Sequence, residues 1–174
     1  VNGIWKILAG VAMFAILAFQ QLEISTLHDD IQEIKIYLIK TQQRVQHTSA
    51  EADCLAKNIF YEAGVEDRLG KFAVAQVTLN RLKEKRWGTD ICKVVYARAQ
   101  FSWTLDKKKR YAQPKGPLWA ESKEVAHKVL QEGYRVAGLE HSTFYHADYI
   151  KEPIWSRSVV KIQQIGQHIF YKKT

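Results

Sequence analysis

Within residues 50–174 of this 174-residue chain, the pattern of apolar residues changes character at Gly138. Before it, apolar side chains recur at three- and four-residue spacing, the mark of helix faces. This spacing predicts helices over about 49–62, 70–85 and 90–97. A fourth starts at Pro117, a favourable first helical position, and stops near Gly133. Residues 107–116, with Pro114, Gly116 and the basic run Lys107-Lys108-Lys109-Arg110, are expected to form a polar loop. Beyond Gly138 come three short runs rich in aromatic and β-branched residues, at 142–146, 158–162 and 168–171. Helices followed by strands imply an α+β fold, mostly helical, with a small antiparallel sheet at its C-terminal end.

The N-terminal third has a different grammar. Residues 7–19 form an unbroken apolar run of thirteen, extended by Ile4 and Trp5 on one side and Leu22 on the other. The run is shorter than a typical spanning helix and close to a secretory h-region, yet no Ala-x-Ala cleavage pattern follows it. Residues 1–22 are therefore expected to be an uncleaved transmembrane signal anchor, with the membrane met through residues 4–22 and the remainder exported. A cleaved signal peptide is the alternative. Ile24, Leu27, Ile31, Ile34, Leu38, Thr41 and Val45 then step by three and four with polar residues between. Residues 23–49 are expected to be an amphipathic, coiled-coil-like stalk or linker, with 24–45 able to self-associate. The polar stretch from Gln42 to Ser49 marks the boundary of a compact domain over 50–174.

Charge separates the same regions. Lys6, Lys35, Lys40 and Arg44 cancel Glu23, Asp29, Asp30 and Glu33, so the net charge of +8 falls wholly on residues 51–174. Such a domain favours anionic partners: a cell wall, lipid head groups or nucleic acid. Nucleic acid fits poorly, since no helix-turn-helix or aromatic-rich RNA motif is present. The chain also lacks a phosphate-binding glycine loop, a Gly-x-Ser-x-Gly elbow and a His-Glu-x-x-His zinc motif, and no cofactor or metal is expected. Cys54 and Cys92 match neither zinc nor redox spacing. Two buried thiols and a disulfide formed in an oxidising compartment both remain open.

Within the basic domain, one carboxylate stands out. An apolar helical pattern (Leu55, Ala56, Ile59, Phe60) runs to Gly64 and delivers Glu62 to a helix end behind Phe60 and Tyr61. Low-polarity neighbours disfavour ionisation, and a carboxyl that stays protonated can act as a general acid. Glu66 follows four residues later and is a possible second acid. Aromatic residues interleaved with hydrogen-bonding ones, in the manner of sugar-binding surfaces, occur at Gln100-Phe101-Ser102-Trp103-Thr104, Tyr145-His146 and Trp155.

The stretch Leu55-Ala56-Lys57-Asn58-Ile59-Phe60-Tyr61-Glu62-Ala63 resembles the opening motif of the SleB-type, spore cortex-lytic family of cell wall hydrolases. The resemblance continues in order through Ala73–Val77, Leu79-Asn80-Arg81, Ile91–Tyr96, Gln100–Thr104, Tyr145-His146-Ala147, Pro153, Trp155 and His168–Tyr171. It implies a lysozyme-like domain that cleaves the glycan strand of peptidoglycan, with Glu62 as the catalytic acid. From their residue types, Gln100, Phe101, Ser102, Trp103, Tyr145, His146 and Trp155 are expected to bind substrate, with Gln100, Ser102, Tyr145 and His146 also orienting Glu62. The chain departs from the family pattern Glu-Ala-Arg-Gly-Glu, reading Glu62-Ala63-Gly64-Val65-Glu66. Ala99 and Leu105 stand where many members carry cysteines.

A single-glutamate, lytic transglycosylase reaction is the expectation. Hydrolysis by Glu62 together with Glu66, or a non-catalytic glycan-binding module, are the alternatives. The expected location is membrane-anchored with the catalytic domain on the periplasmic or cell wall side, at a host inner membrane if a phage endolysin is the source.

Overall fold

The computed structural model describes residues 2–174, with side chains described at 13–14, 17–39 and from 49 onward. The first helix, α1, spans Asn2–Ala63. The chain divides inside it into two compact units, Val1–Gln46 and His47–Thr174. No helical break occurs near residue 49, where the sequence pattern predicts a new helix to start: the polar residues Gln42 to Ser49 lack an apolar face but contain no proline or glycine to stop a helix.

In the N-terminal unit every described side chain is exposed, including Leu27, Ile31, Ile34 and Leu38 of the three-and-four pattern. Among the described residues, no helix is long and apolar enough to cross a membrane. The expected anchor at 4–22 lies largely outside the described side chains.

The second unit is built around α2, Arg68–Glu84. Every residue from Gly70 to Arg81 is buried. A helix buried on all sides shows no amphipathic stripe. It is enclosed by α3 (Ile91–Tyr96), α5 (Pro117–Gln131) and strands β1 (Ser142–Ala147) and β2 (Val159–Ile165). With β3 (His168–Lys173), the strands form an antiparallel sheet in the order β1-β3-β2. Leu55, Ile59, Val77, Val95, Val125, Val129, Leu139 and Phe170 form one apolar core across these elements. Burying each such side chain contributes about 1.5–3 kcal/mol.

Several buried polar side chains are paired with backbone groups or with each other, as burial favours. Asn80 donates from one amide to the carbonyls of Leu139 (2.7 Å) and Ser142 (2.8 Å), and Arg81 Nε donates to that of Thr143 (2.9 Å). These bonds fasten β1 to the end of α2. Buried Lys71 pairs with Glu121 (2.8 Å) and donates to the Glu66 carbonyl (2.8 Å), which fixes the turn leaving α1.

Asp67 caps α2 by accepting from the Gly70 amide (2.7 Å), so the helix begins two residues before the predicted start. Asp90 caps α3 in the same way through Lys93. Asp106 accepts from Lys108 and Lys109 and caps a short helix, α4, over Lys107–Tyr111. The basic run is thus helical, contrary to the expected loop.

Cys54 and Cys92 form a disulfide that joins α1 to α3. This settles the choice left open by the sequence. Closing a segment of 38 residues stabilises the fold by about 4 kcal/mol on the chain-entropy account.

Candidate active site

Glu62 stands on the last turn of α1. The helix ends one residue later, at Ala63, and the position after it needs glycine, since a Cβ at Gly64 would lie 2.3 Å from the Phe60 carbonyl oxygen. Tyr61 beside it stacks on Trp103 with ring centroids 4.7 Å apart, and Phe60 meets Trp119 edge-on. These aromatic contacts hold the end of α1 rigidly under a cleft of about 490 Å3. Its walls are Tyr61 and Glu62, the segment Ala99–Ser102 with Leu105, the end of β1 and the turn after it (Tyr145 to Ala147, Tyr149, Ile150), and His168 at the start of β3. Ala99 adopts φ +59°, a left-handed conformation that costs a non-glycine residue roughly 1–2 kcal/mol.

The surroundings of Glu62 favour its protonated form. Burial pushes its carboxyl above the ordinary range, and this outweighs three opposing influences: the Tyr145 hydrogen bond and the charges of Arg81 and Lys109. Tyr145 Oη donates to Glu62 Oε2 at 2.9 Å. Burial and the neighbouring Glu62 together raise the Tyr145 phenol well above its usual value, so it remains a neutral donor. One carboxyl oxygen is thereby committed to the protein, and the other is left to the cleft. A carboxyl shifted toward its protonated form and held in one orientation is suited to act as a general acid.

Of the other residues singled out by sequence, the structure brings Gln100, Phe101, Ser102, Tyr145 and His146 to the same cleft as Glu62. Ser102 is exposed on its lip, whereas Phe101 is buried under Arg81, whose guanidinium lies 4.8 Å from the ring centroid. His146 is fully engaged by the protein. Its Nδ1 faces the Ala147 carbonyl at 2.9 Å and therefore carries the proton, while Nε2 accepts from Tyr171 Oη at 2.9 Å.

Two of the expected residues are not in the cleft. Trp103 is core: it is buried, and its indole N–H donates to Asn58 (3.0 Å), whose amide donates in turn to Thr78 (3.1 Å). Trp155 packs with Phe144, His146 and Tyr171 away from Glu62.

The Glu66 side chain pairs with neither of the basic residues that follow it in sequence. Arg68 pairs with Glu124, and Lys71 with Glu121. The Glu66 carboxylate instead accepts from the Gln167 backbone N–H (3.2 Å) and lies 3.6 Å from His168 Nδ1. It is not part of the cleft wall.

Sequence reasoning assigns no site role to Arg81 or His168. Arg81 reads as one more basic residue on a helix, although a cation inside so apolar a helix is itself a signal of buried polar work. His168 reads as an alternating strand position, and only the preceding Gly166 hints at a tight turn against another element.

A family model described as cell wall hydrolase matches residues 65–171, a span that begins three residues after Glu62. Among solved structures, the catalytic domain of a germination-specific lytic transglycosylase, SleB, from Bacillus anthracis is similar, at 24% identity and a TM-score of 0.60. That match covers 70% of this chain and 93% of the other. The catalytic domain of the Bacillus cereus SleB protein matches at 22% identity and a TM-score of 0.56, covering 70% and 89%. Identities this low establish a shared fold. No curated protein matches the chain.

Proposed function

Because this chain belongs to the cell wall hydrolase family, we propose that residues 47–174 cleave the glycan strand of peptidoglycan by a lytic transglycosylase reaction with Glu62 as the single catalytic acid. Family membership makes the protein an enzyme of cell wall degradation. What supports the finer assignment is one carboxyl in the cleft, its pKa raised by burial and its orientation set by Tyr145, beside a second, Glu66, that is bound elsewhere.

In this mechanism the Glu62 carboxyl gives its proton to the glycosidic oxygen as the bond to C1 breaks. The resulting carboxylate then takes the proton of the muramic acid 6-hydroxyl as that oxygen attacks C1. A 1,6-anhydro sugar forms, Glu62 is protonated again, and no water is consumed. Tyr145 holds the carboxyl in place throughout. Gln100 and Ser102 supply hydrogen bonds to ring substituents, with buried Phe101 supporting their segment from below and His146 setting the strand that carries Tyr145.

Hydrolysis with Glu66 as the second carboxylate is the less favoured reading, since Glu66 would first have to leave its partners. Mass spectrometry of muropeptides released from purified peptidoglycan separates the two. Products lighter by one water than the reducing sugar support transglycosylation, and reducing ends overturn it. A glycan-binding module without catalysis would release no muropeptide at all.

The disulfide and the charge excess support an exported domain. We extend the proposal to residues 4–22 as the anchor, with 24–45 as a self-associating stalk. A phage endolysin is one setting for that arrangement.

A further inference from the structure

Four residues beyond Glu62 the fold encloses a carboxylate that the mechanism above does not use. The Glu66 side chain is 7% exposed. Its Oε2 accepts from the Gln167 backbone N–H at 3.2 Å. Gly166, at φ +56°, leaves that oxygen its space, for a Cβ there would lie 1.9 Å from it. The β2–β3 hairpin turn is therefore shaped around Glu66.

The other oxygen, Oε1, lies 3.6 Å from Nδ1 of His168. That nitrogen is buried and has no hydrogen-bond partner. The ring stands edge-on to Tyr145, with centroids 5.1 Å apart, and forms part of the cleft wall. Nδ1 is the nitrogen turned to Glu66, so Nε2 is the one that remains for the cleft.

The charged and titratable groups acting on His168 are Glu66, Asp148 and His146. Burial dominates them and holds the imidazole below its usual range, so at neutral pH the ring carries one proton. On Nδ1 that proton faces a carboxylate. On Nε2 it would leave the Nδ1 lone pair opposed to the same carboxylate in a site of low polarity.

We propose that Glu66 is a positioning residue that holds His168 as its Nδ1–H tautomer, which makes Nε2 a hydrogen-bond acceptor for a hydroxyl or N-acetyl N–H of the glycan in the cleft. The identity of the ligand rests on the function proposed above; the tautomer does not. A carboxylate behind an imidazole, fixing which nitrogen faces the reacting group, is a widely used device. Here it explains why an acid so near the catalytic one is turned away from substrate.

The experiment is long-range 1H–15N NMR of the full chain labelled at histidine, with the His168 signals assigned by their loss in His168→Asn. The expected result is an Nδ1–H pattern for His168 at neutral pH; an Nε2–H pattern overturns the proposal without recourse to any variant. Glu66→Gln keeps an acceptor for the Gln167 N–H and turns its amide NH2 toward Nδ1, so His168 should switch to the Nε2–H form. Retention of Nδ1–H in that variant also overturns it. With solubilised glycan strands, Glu66→Gln should lower kcat/KM about tenfold, mostly through KM, the signature of a lost binding contact. A collapse in kcat with the tautomer unchanged would instead make Glu66 a second acid. If the wild-type protein releases no muropeptide, the function fails while the tautomer measurement still decides the role of Glu66.

Discussion

Glu62 and Glu66 stand four residues apart, and the difference between them comes from what the rest of the chain brings to each. Glu62 ends a helix whose aromatic neighbours hold it at an open cleft, hydrogen-bonded by the Tyr145 phenol. Glu66 follows the helix and is closed off by a hairpin turn, with a backbone amide and an imidazole as partners. Burial raises the first carboxyl because too little compensates it. Two nearby acids can therefore have separate tasks without any difference in their own chemistry.

The sharpest break of this comparison is Glu62→Gln. Muropeptide release should fall about a thousandfold or more, the upper range for removing a positioned acid. Stability should move the other way. A carboxyl whose pKa is raised on folding binds its proton more tightly in the native state. The fold therefore loses stability as pH rises from the ordinary carboxylate range through the raised value. The amide of the Glu62→Gln variant has no such proton to lose, so the variant's thermal midpoint should exceed that of the wild type at neutral pH and converge with it in acid. A fall in activity of less than tenfold would remove Glu62 from the chemistry.

The converse test attacks the Glu66 pocket. Gly166→Ala forces a Cβ onto the Glu66 carboxylate from a left-handed backbone position, and should cost roughly 2–4 kcal/mol in chemical denaturation. The pH limit of the residual activity should stay where it was, because Gly166 has no part in the field at Glu62.

A smaller effect is expected at Tyr145→Phe. Losing the bond that steadies Glu62 should cut kcat about tenfold. The same bond lowers the Glu62 pKa, so its removal should carry the alkaline limb of the pH–rate profile upward. A downward movement would contradict the electrostatic account.

The mildest change is to neutralise Lys107, Lys108, Lys109 and Arg110 of α4. Lys109 lowers the Glu62 pKa, so the alkaline limb should again rise, by less than in Tyr145→Phe. Binding to purified walls at low salt should weaken as well. Unchanged binding would confine α4 to its local role beside the cleft.

Glu62 was legible because all its signals are local: an apolar helical spacing, two aromatic residues and a glycine within a few positions. The sheet was legible from residue type alone in Ser142–His146 and His168–Tyr171. Tyr145 is expected from its residue type to orient Glu62, but the bond it makes across 83 residues is not readable from spacing; what escapes the sequence altogether is the Gln167 contact with Glu66 across 101. Only the register of β1 and β3 on α2 creates those meetings.

Trp103 shows the opposite error. Its polar neighbours resemble a sugar site, but alternate residues of the segment point inward, and its indole N–H is taken by Asn58. The helicity of Lys107–Tyr111 left no periodic trace in five residues; its one sign was Asp106 in the capping position.

The burial of α2 on every side affects how the protein can change over time. Most helices tolerate drift along an outward stripe, so a substitution scan shows permissive positions every few residues. From Gly70 to Arg81 there is no such stripe. A deep mutational scan should show an unbroken block of intolerance there, and an engineer seeking new wall specificities should leave it untouched and vary Ser102, Leu105 and Tyr149 on the cleft lip.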